Sequence, residues 1–365
     1  MGGDAIKSSA GLTGRCFVHP VFDYLLIGGG LSLVVIPSVY WLSARSMMFD
    51  SSMLPWFILF SNSAHFAAST VRLYTKPGTK DSLPFLTLAF PAVTLGALTL
   101  CIFAADWIGR YVQLIYLTWS PYHYAAQAYG LSVMYCVRSG CNLTKRQKRA
   151  LWWIAILPFF KVLIFSLSKH AASWTLPDYI LWSHVDWRSW IDWISIALGG
   201  SALVLPLLLF GQVWRTSDRN MPLISLLVIL TNALWFVIFP LIDGFVWTTI
   251  FHGIQYLAIV MIFHIRDRLA LPENKHSATS HAVWFYGASI LLGYAMFNCL
   301  PYGYQMLGFG AAKSVLLVIA AVNIHHFIVD GYIWKLGRGD VNRRVVVGNN
   351  THAKQKDDAP LLVEN

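Results

Sequence analysis

Charge is scarce in this chain. Asp, Glu, Lys and Arg make up 12% of its 365 residues, against about 25% in water-soluble domains. With 56% hydrophobic residues and a mean hydropathy of +0.55, that shortage excludes a soluble Rossmann, barrel or sandwich fold. Cysteine is sparse too: Cys16, Cys101, Cys136, Cys141 and Cys299 show no CxxC spacing and are odd in number, which excludes a disulfide framework or a zinc knuckle. Walker, Rossmann and GxSxG patterns are missing, as is any internal repeat. The N-terminal MGGDAIKSSAGLTGR lacks the apolar core of a cleavable signal peptide, so the first span is expected to act as the insertion signal.

What is present is a series of apolar runs long enough to cross ~30 Å of hydrocarbon at 1.5 Å per residue. They predict an all-α, polytopic transmembrane helix bundle of about ten spans, near 21–43, 53–72, 83–104, 107–137, 150–169, 190–213, 222–241, 244–265, 282–302 and 306–334. With ten spans and both termini cytoplasmic, 21 of the 27 Lys and Arg fall on the inner side and four, Arg45, Arg110, Lys169 and Arg188, on the outer; Lys161 and Lys313 lie within spans. That asymmetry is the one cytoplasmic loops should show. The formal net charge of +10 is thus a topology signal, and nucleic acid is not an expected partner. Residues 1–335 form the bundle in this reading, and 336–365 a polar, disordered cytoplasmic tail. The Trp-rich 169–190 connection is expected to lie on the outer surface. Gly28-Gly29-Gly30 is expected to mark a close helix contact.

Ionisable side chains inside a span are costly and mark function by default. Here they are nearly all histidines, each with a polar residue about one turn away: Asn62, His65, Ser69 and Arg72 on the second span, His123 and Gln127 on the fourth, His252, Gln255 and Tyr256 on the eighth, and Asn323, His326 and Asp330 on the tenth. His325 lies about 100° round from that last stripe. Counted back from the basic residue ending each span, the histidines sit roughly 10 to 22 Å deep and can meet near mid-membrane. His19 and Asp23, where the first span begins, would sit nearer the cytoplasmic edge.

Neutral imidazole is the commonest metal ligand, and a ligating histidine gives its other N–H to a fixed partner. The expected ligands are His65, His123, His252 and His325 or His326, with His19 as a further one. Asp330 and Tyr256 are the candidate catalytic groups, and Asp23, Gln127, Gln255 and Asn323 the residues orienting the ligands. A set without thiolate suits non-haem iron, copper or zinc. Single intramembrane histidines more often serve as interhelical hydrogen bonds; four helices carrying them at compatible depths is the stronger signal. His264, near the inner interface, and His170, His184, His276, His281 and His352 are expected to be solvated. Lys313 is near a span end, where snorkelling disfavours a Schiff-base role. Lys161 is expected to cap carbonyls near Pro158.

His19 with Asp23 in HPVFDYLL, His65 in AHF, His252 in FHGIQY and His325 with Asp330 in HHFIVD resemble the ordered motifs PHGxxD, HF, HxxxH and PHxxxxD of the Brp/Blh family of membrane-embedded carotene dioxygenases. The resemblance covers about a tenth of the chain. The proline follows His19 instead of preceding it, Tyr256 replaces the second histidine of HxxxH, and His123 with Gln127 has no counterpart. The resemblance implies Fe(II) as the metal and a lipophilic, carotenoid-like substrate handled with O2. The expected function is accordingly a metal-dependent oxygenase or oxidoreductase taking substrate from the membrane lipid. A haem or redox protein is the first alternative, since paired histidines are also axial ligands. A proton-coupled transporter using His and Asp is the second.

Overall fold

The computed structural model describes residues 12–44, 54–166, 188–217, 220–238, 244–334 and 345–346. Among them there is no strand, and helices follow one another: α1 (Pro20–Ile27), α2 (Gly30–Ala44), α3 (54–75), the short α4 (Thr79–Ser82), α5 (Phe85–Phe103), α6 (Ala105–Arg138), α7 (Lys145–Ser166), α8 (Arg188–Thr216), α9 (Leu223–Ile238), α10 (Gly244–Leu269), α11 (Ala278–Met306) and α12 (Ala311–Ile333). A helix occupies each of the ten apolar segments of the sequence. Five are long and apolar enough to cross a bilayer by length and composition: α5, α8, α10, α11 and α12. The bent pair α1 and α2 makes a sixth if counted as one span. α9 is apolar but shorter, and α3, α6 and α7 are not among the five over their described residues.

Two backbone irregularities set the helix positions that matter. The first is the glycine run. α1 and α2 meet at 59° because Gly29 adopts φ +79°, where a side chain is strained, and a Cβ there would lie 2.7 Å from Thr231 Oγ1. The run therefore makes the close contact the sequence suggests and also breaks the helix. Freed carbonyls in a bundle need donors, and they have them: Gln255 Nε2 donates to Ile27 O (2.5 Å), Thr231 Oγ1 to Gly28 O (3.0 Å) and Ser32 Oγ to Gly29 O (2.6 Å).

The second is the π-helical stretch Ile58–Ser63 within α3. Its carbonyls press on two glycines: a Cβ at Gly293 of α11 would fall 2.7 Å from Ser63 O, and one at Gly253 of α10 would fall 3.0 Å from Ser61 O. Such π turns recur at functional sites, and this one seats α3 against α10 and α11 just before His65. α12 packs between α3 and α6, so the four helices that carry His65, His123, His252 and His326 meet inside the bundle.

At one end, Arg138 donates to Cys16 O (3.0 Å) and Val346 O (3.1 Å), while Arg266 donates to Phe17 O (2.5 Å) and Val345 O (3.0 Å). Val345 and Val346 are buried, so this part of the expected tail is held against the bundle. The rest of 336–365, and 169–190 apart from its last three residues, lie outside the described residues, as do His170, His184 and His352.

Candidate metal centre

Four imidazoles converge inside the bundle. His65 Nε2 lies 3.0 Å from His326 Nε2, which lies 3.2 Å from His123 Nε2. His252 completes the group, its ring centroid 4.8 Å from that of His65 and 5.2 Å from that of His123. Asp330, one turn after His326, places Oδ2 3.5 Å from His326 Nε2 and 3.9 Å from His123 Nε2. Two sets of donors are compact, with atoms within 4.8 Å of one another: His65, His123 and His252, and His123, His326 and Asp330. All five residues are buried.

The donor atoms fit a metal ion. With bonds of about 2.1 Å to nitrogen, neighbouring donors on one ion are separated by roughly 3.0 to 3.4 Å, the range spanned by the two Nε2 pairs. The hydrogen bonding also fits. Ser69 Oγ donates to Phe66 O (2.9 Å) and lies 2.9 Å from His326 Nδ1, where it can accept the Nδ1–H and leave the Nε2 lone pair free to face the centre. Both ring nitrogens of His252 are buried without a hydrogen-bond partner, a costly condition that ligation through one of them relieves for that nitrogen; Nδ1 of His65, the nitrogen facing away from His326, is also without a partner. Tyr124 stacks on His252 with centroids 4.0 Å apart, and Phe66 packs edge-on against His326 at 4.9 Å, holding the rings in place.

One wall opens on a cavity of about 510 Å³, within the ~300–1,000 Å³ usual for sites of small organic ligands. His123, Gln127, Tyr256 and Asp330 are its polar lining, among Trp119, Tyr122, Phe327, Trp334 and aliphatic residues. Tyr256 OH donates to Asp330 Oδ1 (2.6 Å), leaving Oδ2 directed towards the imidazoles.

Several sequence expectations do not meet at this centre. His19 is exposed and accepts from Val21 N (3.3 Å), capping the start of α1. Asp23 is buried but satisfied by the Phe17 and Val18 amides and Tyr135 OH, which makes it the clamp of the N-terminal loop. His325 points away from the centre and stacks on Phe90 at 4.8 Å, lining a separate cavity of about 170 Å³; His326 is the residue that converges. Asn323 Nδ2 donates to its own helix at Ile319 O (2.7 Å). Gln127 and Gln255 bond to each other instead of to a histidine. His264 is buried, 3.3 Å from Thr75 Oγ1 and stacked on Trp284, so it is not the solvated residue its position suggested. Lys313 pairs with Asp106 at 2.6 Å on an exposed face, and buried Lys161 packs on Gly199.

The sequence reading missed Tyr124 and Phe66 as supports. Each directly follows a centre histidine, and neighbours in a helix do not share a face, so only the packed bundle reveals that they touch the next helix's ring. It also placed Arg72 at the cytoplasmic end of the second span without a partner, whereas it is fully buried and paired with Asp267 at 2.9 Å. Comparison of the chain with protein-family profiles, curated proteins and solved structures finds no match.

Proposed function

We propose that this chain is a ten-span membrane protein, both termini cytoplasmic, whose interior holds a histidine-ligated metal ion, Fe(II) first among the candidates, and that it oxidises a lipophilic substrate drawn from the bilayer. One observation carries the reading: four buried imidazoles and a carboxylate from four helices form two compact donor sets that share His123, with two Nε2 pairs at 3.0 and 3.2 Å, beside a cavity large enough for an organic molecule. The topology is supported by a helix in each of the ten segments. It is supported also by Arg138 and Arg266, which join residues 16–17 to 345–346 and so favour an even number of crossings.

His65, His123, His252 and His326 would hold the ion, with Asp330 Oδ2 as a fifth donor. When bound, such an ion with an open position supplies O2 binding and activation. The chain's own groups do the rest. The aromatic wall binds the apolar body of the substrate and excludes water. Tyr256 OH and Asp330, in the same wall, hold a proton between Oη and Oδ1 at the point where an oxygen atom of a product would need one. The edge-to-face packing of the imidazoles, at centroid distances of 4.4 to 5.2 Å, leaves no gap for a macrocycle between them and favours a bare ion over haem.

The test is elemental analysis of detergent-purified protein beside His123→Ala and His326→Ala. Wild type should carry iron in fixed stoichiometry without a Soret band, and each variant should retain at most about a tenth of it. Equal metal content in all three would overturn the proposal.

A further inference from the structure

Among the described residues, two phenols have rings in contact with the four imidazoles, and their hydroxyls meet different partners. Tyr124 stacks on His252 at 4.0 Å and hydrogen-bonds Thr249, a neutral hydroxyl. Tyr256 is 1% exposed, with its ring centroid 4.7 Å from that of His65 and 5.4 Å from that of His326. Its hydroxyl meets a carboxylate, Asp330 Oδ1, at 2.6 Å. The helices set this pairing: Tyr256 follows His252 by one turn on α10, and Asp330 follows His326 by one turn on α12. A phenol in ring contact with ligand imidazoles can pass an electron to what they hold. The oxidised phenol is a strong acid, however, and a buried uncompensated charge is costly, so the electron leaves only where the proton can leave too. Asp330 lies within the roughly 2.6–3.2 Å that direct proton transfer needs.

We propose that Tyr256 is a redox-active residue of the centre, a donor of one electron whose proton goes to Asp330. The oxidant is the centre after O2 has oxidised it. One electron passes from the phenol to the centre, the O–H bond breaks, the proton binds Oδ1 and a neutral phenoxyl radical remains; Tyr256 is oxidised by one electron and the centre reduced by one. The lipophilic substrate in the adjoining cavity, which Tyr256 and Asp330 both line, returns the electron and is itself oxidised by one, while the proton moves back from Asp330 to restore the phenol. Tyr124 has no base at its hydroxyl and stays reduced. The inference rests on the proposed function for the ion, and on the Tyr256–Asp330 pair for the place of the radical.

The test is electron paramagnetic resonance on full-length protein in detergent, loaded with iron, mixed with O2 or hydrogen peroxide and frozen at successive times. Wild type should give a radical signal that narrows when the tyrosines carry deuterium at Cβ. The signal should be lost in Tyr256→Phe and persist in Tyr124→Phe. Because Tyr256→Phe also takes a hydrogen bond from Asp330, iron is measured in each variant, and 3-fluorotyrosine placed at position 256 supplies a second readout, fluorine splitting of the signal. No tyrosyl signal in iron-loaded wild type, a signal that survives Tyr256→Phe, or one without fluorine splitting would overturn this assignment and leave the metal reading standing. Wild type that holds no iron would overturn both.

Discussion

The outer helices and the inner ones are built on opposite rules. In the spans of α5, α8 and α11 only 22%, 28% and 17% of the most apolar window is buried, whereas in α10 and α12 the figures are 72% and 50%. The outer set is apolar on all sides, as a helix facing lipid must be. The inner set carries His252, Gln255, His326 and Asp330 and hides them against neighbours. α3 and α6, which supply His65 and His123, are more polar and are not among the helices apolar enough to cross a bilayer by composition. Apolarity marks the scaffold here, and its local loss marks the chemistry.

The largest break in that contrast should come from Arg72→Ala on α3. It strands the Asp267 carboxylate in the interior, and removing one partner of a buried pair costs about 3–5 kcal/mol. Thermal denaturation in detergent should show a fall of many degrees; an unchanged midpoint would mean that water reaches the pair. Next is Gly293→Val, which drives a side chain into the Ser63 carbonyl where α3 seats on α11. Overpacking of this kind costs roughly 1–3 kcal/mol, and the same assay should register a smaller drop, accompanied by weaker iron retention because His65 follows directly.

Ser69→Ala sharpens the comparison without unfolding anything. The bundle should melt normally while iron affinity falls by about tenfold, the low end for loss of a residue that orients a ligand; titration with a competing chelator measures it. Unaltered affinity would show that Ser69 does not set the His326 tautomer. The smallest effect belongs to the outer set. Leu100 on α5 is 69% exposed, and Leu100→Ala should change stability by no more than about 0.5 kcal/mol, a shift near the resolution of the thermal assay.

Much of the architecture was legible in the sequence because lipid imposes a length and an apolarity that no other constraint mimics. The convergence of His65, His123, His252 and His326 was legible for the same reason: an imidazole in an apolar run needs a partner, and depth along a helix is simple arithmetic. What sits beside each ring was not. His325 and His326 differ by 100° of rotation, and only the packing of α12 between α3 and α6 decides which one faces inward. Asp23 was expected to orient a ligand because it follows His19 by one turn, yet the backbone folds over it and supplies amide donors that no spacing rule encodes. Gln255 was placed one turn from His252 as its support, but the glycine break bares the Ile27 carbonyl and claims it. Arg72, Arg138 and Arg266 entered the charge tally as cytoplasmic residues at the ends of spans, while the structure uses them to bind a carboxylate and to join residues 16–17 to 345–346.

His65 and His326, whose Nε2 atoms lie 3.0 Å apart, are separated by 261 positions in sequence, and the last two candidate donors arrive on α12. If the proposed ion is held there, the early helices wait during synthesis with an unfinished ligand set, and no chain cut short before α12 can assemble the whole of it. Occupancy by the ion would then serve as a check that translation and insertion have run to the end, with prematurely terminated chains set apart by what they fail to hold.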